Sequence, residues 1–163
     1  MNLLTTADGR RRLALVAGRV FIGGLFISVW GDNLISGKYW TSGYARFVHH
    51  YAVHTHFGFY RSFMEHVVIP HANVFSKVQL VAEIAVIGIP LLVGLCTPVA
   101  AVAAAGFALM VGAAAVGTPG EWAGTYAMLF LLPLMAAFGQ AGRTLGIDAL
   151  LAGSDPHPRI PIY

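Results

Sequence analysis

Along much of this chain apolar residues do not alternate with polar ones at a two-residue or a helical period; they simply run on. Four runs are long, at about 13–30, 74–95, 98–116 and 122–138. Each approaches the roughly 20 residues with which a helix crosses a hydrocarbon core of about 30 Å. In lipid only a helix or a closed barrel satisfies its own backbone, and no run shows strand-like alternation. The pattern therefore predicts an all-α integral membrane protein, a four-transmembrane-helix bundle. LCTPVAA and GTPGEW leave room only for tight antiparallel turns, and Pro98 and Pro119 suit helix starts. Pro90 and Pro133 lie inside runs and predict local kinks of the kind neighbouring helices tolerate.

Between the first two runs the pattern changes. Residues 32–73 form a long first loop, and within it FYRSFMEHVVIPH puts Phe59, Phe63 and Val67 on one helical face, with Arg61 and Glu65 spaced i, i+4 on another. That predicts an amphipathic interfacial helix within about 44–71, lying on the membrane surface with its rings at headgroup depth. Tyr39, Trp40 and Tyr44 extend the aromatic belt. Residues 1–153 then make one membrane domain, and 154–163 a C-terminal tail.

Composition sharpens this reading. The 163 residues are 57% hydrophobic and only 10% charged, with a mean hydropathy of +0.70. A soluble domain carries roughly a quarter charged residues, so this chain cannot build a water-facing shell. Its net charge of +3 comes from ten basic residues dispersed around apolar runs. They speak of topology and not of nucleic acid. Cys96 is the single cysteine, which excludes an internal disulfide and any multi-cysteine metal site. Arg10, Arg11 and Arg12 precede the first run without a small-residue cleavage site after it, as for an uncleaved first span. With four spans, Arg143 and Arg159 share that side, opposite Lys38, Arg46, Arg61 and Lys77. The positive-inside rule predicts a multi-pass protein of the cell inner membrane with both termini cytoplasmic and the first loop outside.

Arg19, Gln79, Glu83 and Tyr126 are the polar side chains that matter inside the runs. A charge at mid-membrane costs roughly 2.5–3.5 kcal/mol even on lenient scales, so it is paired, snorkelled or functional. From the run boundaries, Arg19 and Glu83 stand about 8 Å apart along the membrane normal. They are expected to pair or share a network; the other reading has Arg19 snorkelling and Glu83 protonated. Gln79 precedes Glu83 by one helical turn. The two make a polar stripe that suits a quinone headgroup, or that binds helices together.

FVHHYAVHTHFGFYRSFMEH holds five of the seven histidines. His50 and His54 suit one helix face, whereas His54 and His56 suit a strand, and no carboxylate or thiol supports them before Glu65. No metal is predicted; the reading is a hydrated, proton-exchanging cluster near neutral pH. Arg46, Arg61 and Lys77 nearby attract small anions. In the third run Ala104, Ala108 and Gly112 form a small-residue ridge, either for packing within the bundle or for docking a partner. The proline-rich tail frays unless a partner holds it.

These residues resemble a known family. The stretch FYRSFMEHVVIPHANVFSKVQLVAEIAVIGIPLLVGLCTPVAA is similar to the central region of the DoxX/DoxD membrane proteins, through Tyr60, Arg61, Phe63, Pro70, Asn73, Phe75, Glu83, Gly94, Leu95 and Thr97. GRVFIGGLFISVWG, with Arg19, and GQAGRTLGIDALL extend the likeness over about 13–151. One departure is that Gly31 is followed by Asp32, Asn33 and Leu34, with a lysine only at Lys38, where relatives often carry one sooner.

The resemblance implies a four-helix membrane bundle like the DoxD-type membrane subunit of thiosulfate:quinone oxidoreductase, which passes electrons from thiosulfate to a quinone. On that reading thiosulfate binds at Arg46, Arg61 and Lys77, the quinone lies by Gln79, Glu83 and Tyr126, and catalysis rests on Glu83 and Arg19 with His54 or His66 moving protons. The alternative is a non-catalytic accessory subunit of a larger respiratory or photosynthetic membrane complex, its partners being lipid and other membrane subunits. No flavin, haem or iron–sulfur motif is present, so electrons pass directly from sulfur to quinone or through a partner.

Overall fold

The computed structural model describes residues 5–154. Thr6 opens the first helix, α1 (Ala7–Ile35), its hydroxyl accepting from the Gly9 N–H at 3.0 Å. At 29 residues α1 is about 44 Å long, well beyond the hydrocarbon thickness. Then follow α2 (Thr41–His54) and α3, residues 58–68, whose α-helical start Gly58–Phe63 gives way to a π turn at Met64–Val68. The long helix α4 (Ala72–Val93) contains a second π segment, Ala82–Gly88, just ahead of Pro90. Gly94, at φ +72°, ends it in the left-handed conformation that glycine adopts without strain. After it come α5 (Thr97–Ala115), α6 (Ala123–Phe138), and two short helices, α7 (Ala141–Thr144) and α8 (Ile147–Ser154). No strand occurs among the described residues.

Helices α1, α4, α5 and α6 pack in a closed ring, each touching the next and α6 returning to α1. Their shared core is Ile22, Phe26, Ile87, Leu91, Ala100, Ala101 and Ala104, with Phe26 edge-on to Phe107 at 5.7 Å between ring centres. Helices α1 and α4 touch backbone to backbone at Gly23, where an added Cβ would stand 2.5 Å from the Leu92 nitrogen. Three helices, α1, α4 and α5, are long and apolar enough to cross a membrane. The α6 helix is equally apolar but has 16 residues, about 24 Å. The chain is a multi-pass membrane protein, its outer surface studded with exposed Phe21, Val102, Leu131 and Phe138.

The first loop departs from the expectation. It forms a second packed layer, with a core of Tyr44, Val48, Ala52, Met64, Val68 and Ala72 closing over Ala114. Of the anticipated belt, Trp40 is exposed, but Tyr39 and Tyr44 are only 4% and 6% exposed and turn inward. A phenol can be buried when its hydroxyl finds a partner, and these do. Phe59, Phe63 and Val67 are exposed as a stripe, but Arg61 does not meet Glu65: its Nη2 donates to the Thr55 carbonyl at 3.1 Å, closing the end of α2.

The small-residue ridge of α5 is consumed internally. Ala104 and Ala108 are buried, and a Cβ on Gly112 would stand 2.9 Å from the Cβ of Tyr126 in α6. The docking alternative for this face is overturned, because the chain's own helices fill it. The proline-rich tail inferred to hold a partner lies, from residue 155 on, outside the described residues.

Candidate functional site

Two polar clusters are buried in the bundle, at opposite ends. The first centres on Glu83, 1% exposed, at the start of the π segment of α4. Its Oε2 accepts from the Tyr39 hydroxyl at 2.5 Å and its Oε1 from the Gln79 amide at 2.6 Å. The Tyr44 hydroxyl in turn donates to Gln79 Oε1 at 2.9 Å. Asn33, buried near the end of α1, hydrogen-bonds within the same group. The indole of Trp30 donates to the Leu80 carbonyl at 3.1 Å, tying α1 to α4 one turn before Glu83.

Four elements build this cluster, α1 supplying Asn33. The loop after α1 brings Tyr39, α2 brings Tyr44, and α4 brings Gln79 and Glu83 one turn apart. Burial first, and then the Glu83 hydrogen bond, push the Tyr39 phenol well above the usual tyrosine range. Burial also raises Tyr44, to about 12. Both phenols stay protonated near neutrality and act as hydrogen-bond donors.

The second cluster centres on Asp148, fully buried at the start of α8. Its two carboxylate oxygens accept from the backbone N–H groups of Cys96 at 2.6 Å and Thr97 at 2.9 Å. A carboxylate from elsewhere in the chain thus caps α5, where the helix dipole favours negative charge. Its own N–H donates to the Gly94 carbonyl at 2.8 Å. Arg19, 2% exposed, donates from Nη2 to the Leu145 carbonyl at 2.7 Å and is attracted by Asp148. The guanidinium lies against Gly94 and Gly146; a Cβ on Gly94 would overlap Nη1 at 1.6 Å. Only glycine fits there.

The expected pairing of Arg19 with Glu83 is therefore corrected. Glu83 lies level with Asn33, which is 14 residues beyond Arg19 on the same helix, about 21 Å along its axis. The first apolar run ends at Trp30, but α1 continues to Ile35 and the loop layer adds thickness above it.

Tyr126 also separates from Gln79 and Glu83. Its hydroxyl donates to Glu121 Oε2 at 2.8 Å, and Tyr51 donates to the other oxygen at 2.8 Å, making an exposed cluster by the turn after α5. His54 and His66 each place Nδ1 against a carbonyl one turn earlier, His50 at 2.7 Å and Ser62 at 2.9 Å. Arg46 and Lys77 are exposed, whereas Arg61 is engaged with the end of α2. Lys38 pairs with Asp32 at 3.2 Å. Among the described residues no group of three or more histidine, cysteine or carboxylate side chains is placed to hold a metal ion.

Asp148, Gly94, Thr97, Gly146 and Arg19 come from three separate stretches of sequence and meet at one point. These are the stretches whose residues suggested a family, and a family model described as TQO small subunit DoxD matches residues 17–154. The chain belongs to the DoxD family. No curated protein and no solved structure shows significant similarity to it. In this DoxD protein, reasoning from sequence missed Asn33, Tyr39, Tyr44 and Asp148. The available signal for the tyrosines was their place just before and at the start of a histidine-rich helix. For Asp148 it was the Gly-x-Asp ending of GQAGRTLGIDALL.

Proposed function

We propose that this protein is a quinone-linked membrane redox subunit of the thiosulfate:quinone oxidoreductase type. The observation that carries the reading is a carboxylate buried in an apolar span and held by a phenol and an amide. Keeping Glu83 in such surroundings costs several kcal/mol unless its bonds are all made, and intramembrane carboxylates of this kind mark proton or substrate paths.

The donor set fits a quinone headgroup. Gln79, half-buried beside Glu83, carries two N–H donors, and one of them is enough for the carboxylate. The second Gln79 N–H would hold the carbonyl end of the ring, with the Tyr44 hydroxyl, donating to Gln79 Oε1, fixing the amide's orientation. A bound quinone supplies a two-electron acceptor that takes up two protons. Glu83 holds and releases a proton at its carboxylate oxygens, and Tyr39 orients Oε2 and shields the group from lipid. On the loop face, the exposed Arg46 and Lys77 attract thiosulfate, and His54 and His66 exchange protons with water. Electrons reach the quinone by direct sulfur-to-quinone transfer or through a partner subunit.

In this reading α6 completes a fourth span, the stripe of Phe59, Phe63 and Val67 lies at the membrane surface, and both termini face the cytoplasm of the inner membrane. The test is purified protein in detergent, with its partner present, given thiosulfate and a soluble quinone. Thiosulfate-dependent loss of quinone absorbance is expected. No reduction under those conditions overturns the assignment.

A further inference from the structure

The Glu83 end of the bundle is shut. Glu83, Tyr39, Tyr44 and Asn33 are 1%, 4%, 6% and 7% exposed, and within the group Gln79, half-buried, is the member that reaches the surface. A ring docked on the outer Gln79 N–H therefore meets Glu83 only after something has been displaced. The helices around it are firmly set. Helices α1 and α4 are in backbone contact at Gly23, and α2 is packed into the loop layer through Tyr44, Val48 and Ala52. What remains is residues 36–40, the strap that joins α1 to α2.

The strap is held differently. Tyr39, although buried, belongs to none of the hydrophobic clusters, and its backbone takes part in none of the turn hydrogen bonds around it. Its chief polar tie is the hydroxyl on Glu83. Lys38 pairs with Asp32 at 3.2 Å and lies 5.8 Å from the Phe47 ring, at the surface, where an ion pair contributes little. Trp40 is 65% exposed, and α2 begins there without a side-chain cap. Gly37 turns the chain at φ +75°, which glycine adopts freely. Its carbonyl sits so close to Gly43 that a Cβ there would stand 2.1 Å from the oxygen.

We infer that residues 36–40 are a lid over Glu83, with the Tyr39 hydroxyl as its latch and Gly37 as its hinge, and that it swings outward to admit a quinone headgroup held at Gln79. The lid rests on the quinone reading of this site. Latch and substrate compete for one acceptor: as Tyr39 leaves, Oε2 is freed for the ring, and when the ring departs the phenol returns and closes the carboxylate off from lipid and water. A strap of a few residues that absorbs the motion while packed helices stay still is the usual build of such lids.

Hydrogen–deuterium exchange in detergent, with no quinone present, tests the lid apart from the chemistry. In the wild type the bonded amides of 36–40 are expected to exchange faster than those of 48–52 in the α2 core. Tyr39→Phe keeps the ring and removes the latch, and should speed strap exchange by about tenfold or more, the lower end for a hydrogen bond to a charged group. Gly43→Ala leaves every member of the Glu83 group in place and should also speed it, by pushing the Gly37 carbonyl off its seat; exchange across 48–52 should stay as in the wild type. Labelling of Glu83 by dicyclohexylcarbodiimide, read by peptide mass, should rise in Gly43→Ala by the same factor as strap exchange. Strap and 48–52 exchanging at one rate, strap exchange unmoved by Tyr39→Phe, or Glu83 labelled in Gly43→Ala at the wild-type rate would each overturn the lid. An opening strap in a protein that reduces no quinone would instead overturn the redox reading and leave the lid over Glu83 in place.

Discussion

The two ends of this bundle bury a carboxylate by opposite means. Glu83 is held by side chains, a phenol and an amide, which can rotate to other partners. Asp148 is held by the backbone N–H groups of a helix start, which have no alternative use. A carboxylate anchored on backbone rigidifies a fold. One anchored on side chains, in a π segment such as often marks functional positions, is available for proton chemistry. The contrast teaches that burial alone does not say what an acid is for; under the proposed function the difference lies in its partners.

Removing Asp148 should do the most damage. Asp148→Ala uncaps α5, leaving the Cys96 and Thr97 N–H groups without their acceptor, and removes a negative charge that attracts Arg19; it is expected to cost about 2–6 kcal/mol, roughly 1–3 for each orphaned donor. Thermal unfolding in detergent measures it. Adding Arg19→Met should recover part of the loss, and strict additivity would show that the two do not couple. Glu83→Gln should behave in the reverse manner. Its melting temperature should move little, while thiosulfate-dependent quinone reduction falls on the order of a hundredfold or more, the range for losing a proton-transfer group. A large stability loss with activity retained would make the Glu83 end structural too.

Alkaline pH offers a finer probe. The buried Tyr44 phenol holds its proton to about 12, against 10.0 for an ordinary tyrosine. Its contribution to stability is therefore fully present below pH 10 and lost as pH rises through 12, at up to about 1.4 kcal/mol per pH unit. Melts of wild type and Tyr44→Phe should diverge below pH 10 and converge above 12. The smallest effect is expected at the half-buried Tyr51, whose bond to the exposed Glu121 lies in water's reach. Tyr51→Phe should shift stability by no more than about 0.5 kcal/mol.

Much of the fold was legible because lipid is a demanding solvent. Unbroken apolar runs separated by tight Pro- and Gly-containing turns admit few solutions, and the observed helices start and stop within a few residues of the runs at 74–95, 98–116 and 122–138. Within the Glu83 cluster, Gln79 and Glu83 were visible as an i, i+4 pair on one helix, a relation that helical geometry guarantees. Tyr39, Tyr44 and Asn33 were not, since their amphipathic surroundings read equally well as a surface belt.

By itself, then, the chain's order of residues determined the membrane class, the helices, and which polar groups would be costly to bury, because these follow from local hydropathy and backbone bonding. Only the tertiary structure decided which groups satisfy which. Arg19 donates to the Leu145 carbonyl across 126 residues of sequence and does not meet Glu83, and a carboxylate 51 residues past Thr97 caps its helix. Such partners depend on helix length, register and the thickness of the loop layer. Those quantities sum over the whole assembly, and no local spacing carries them.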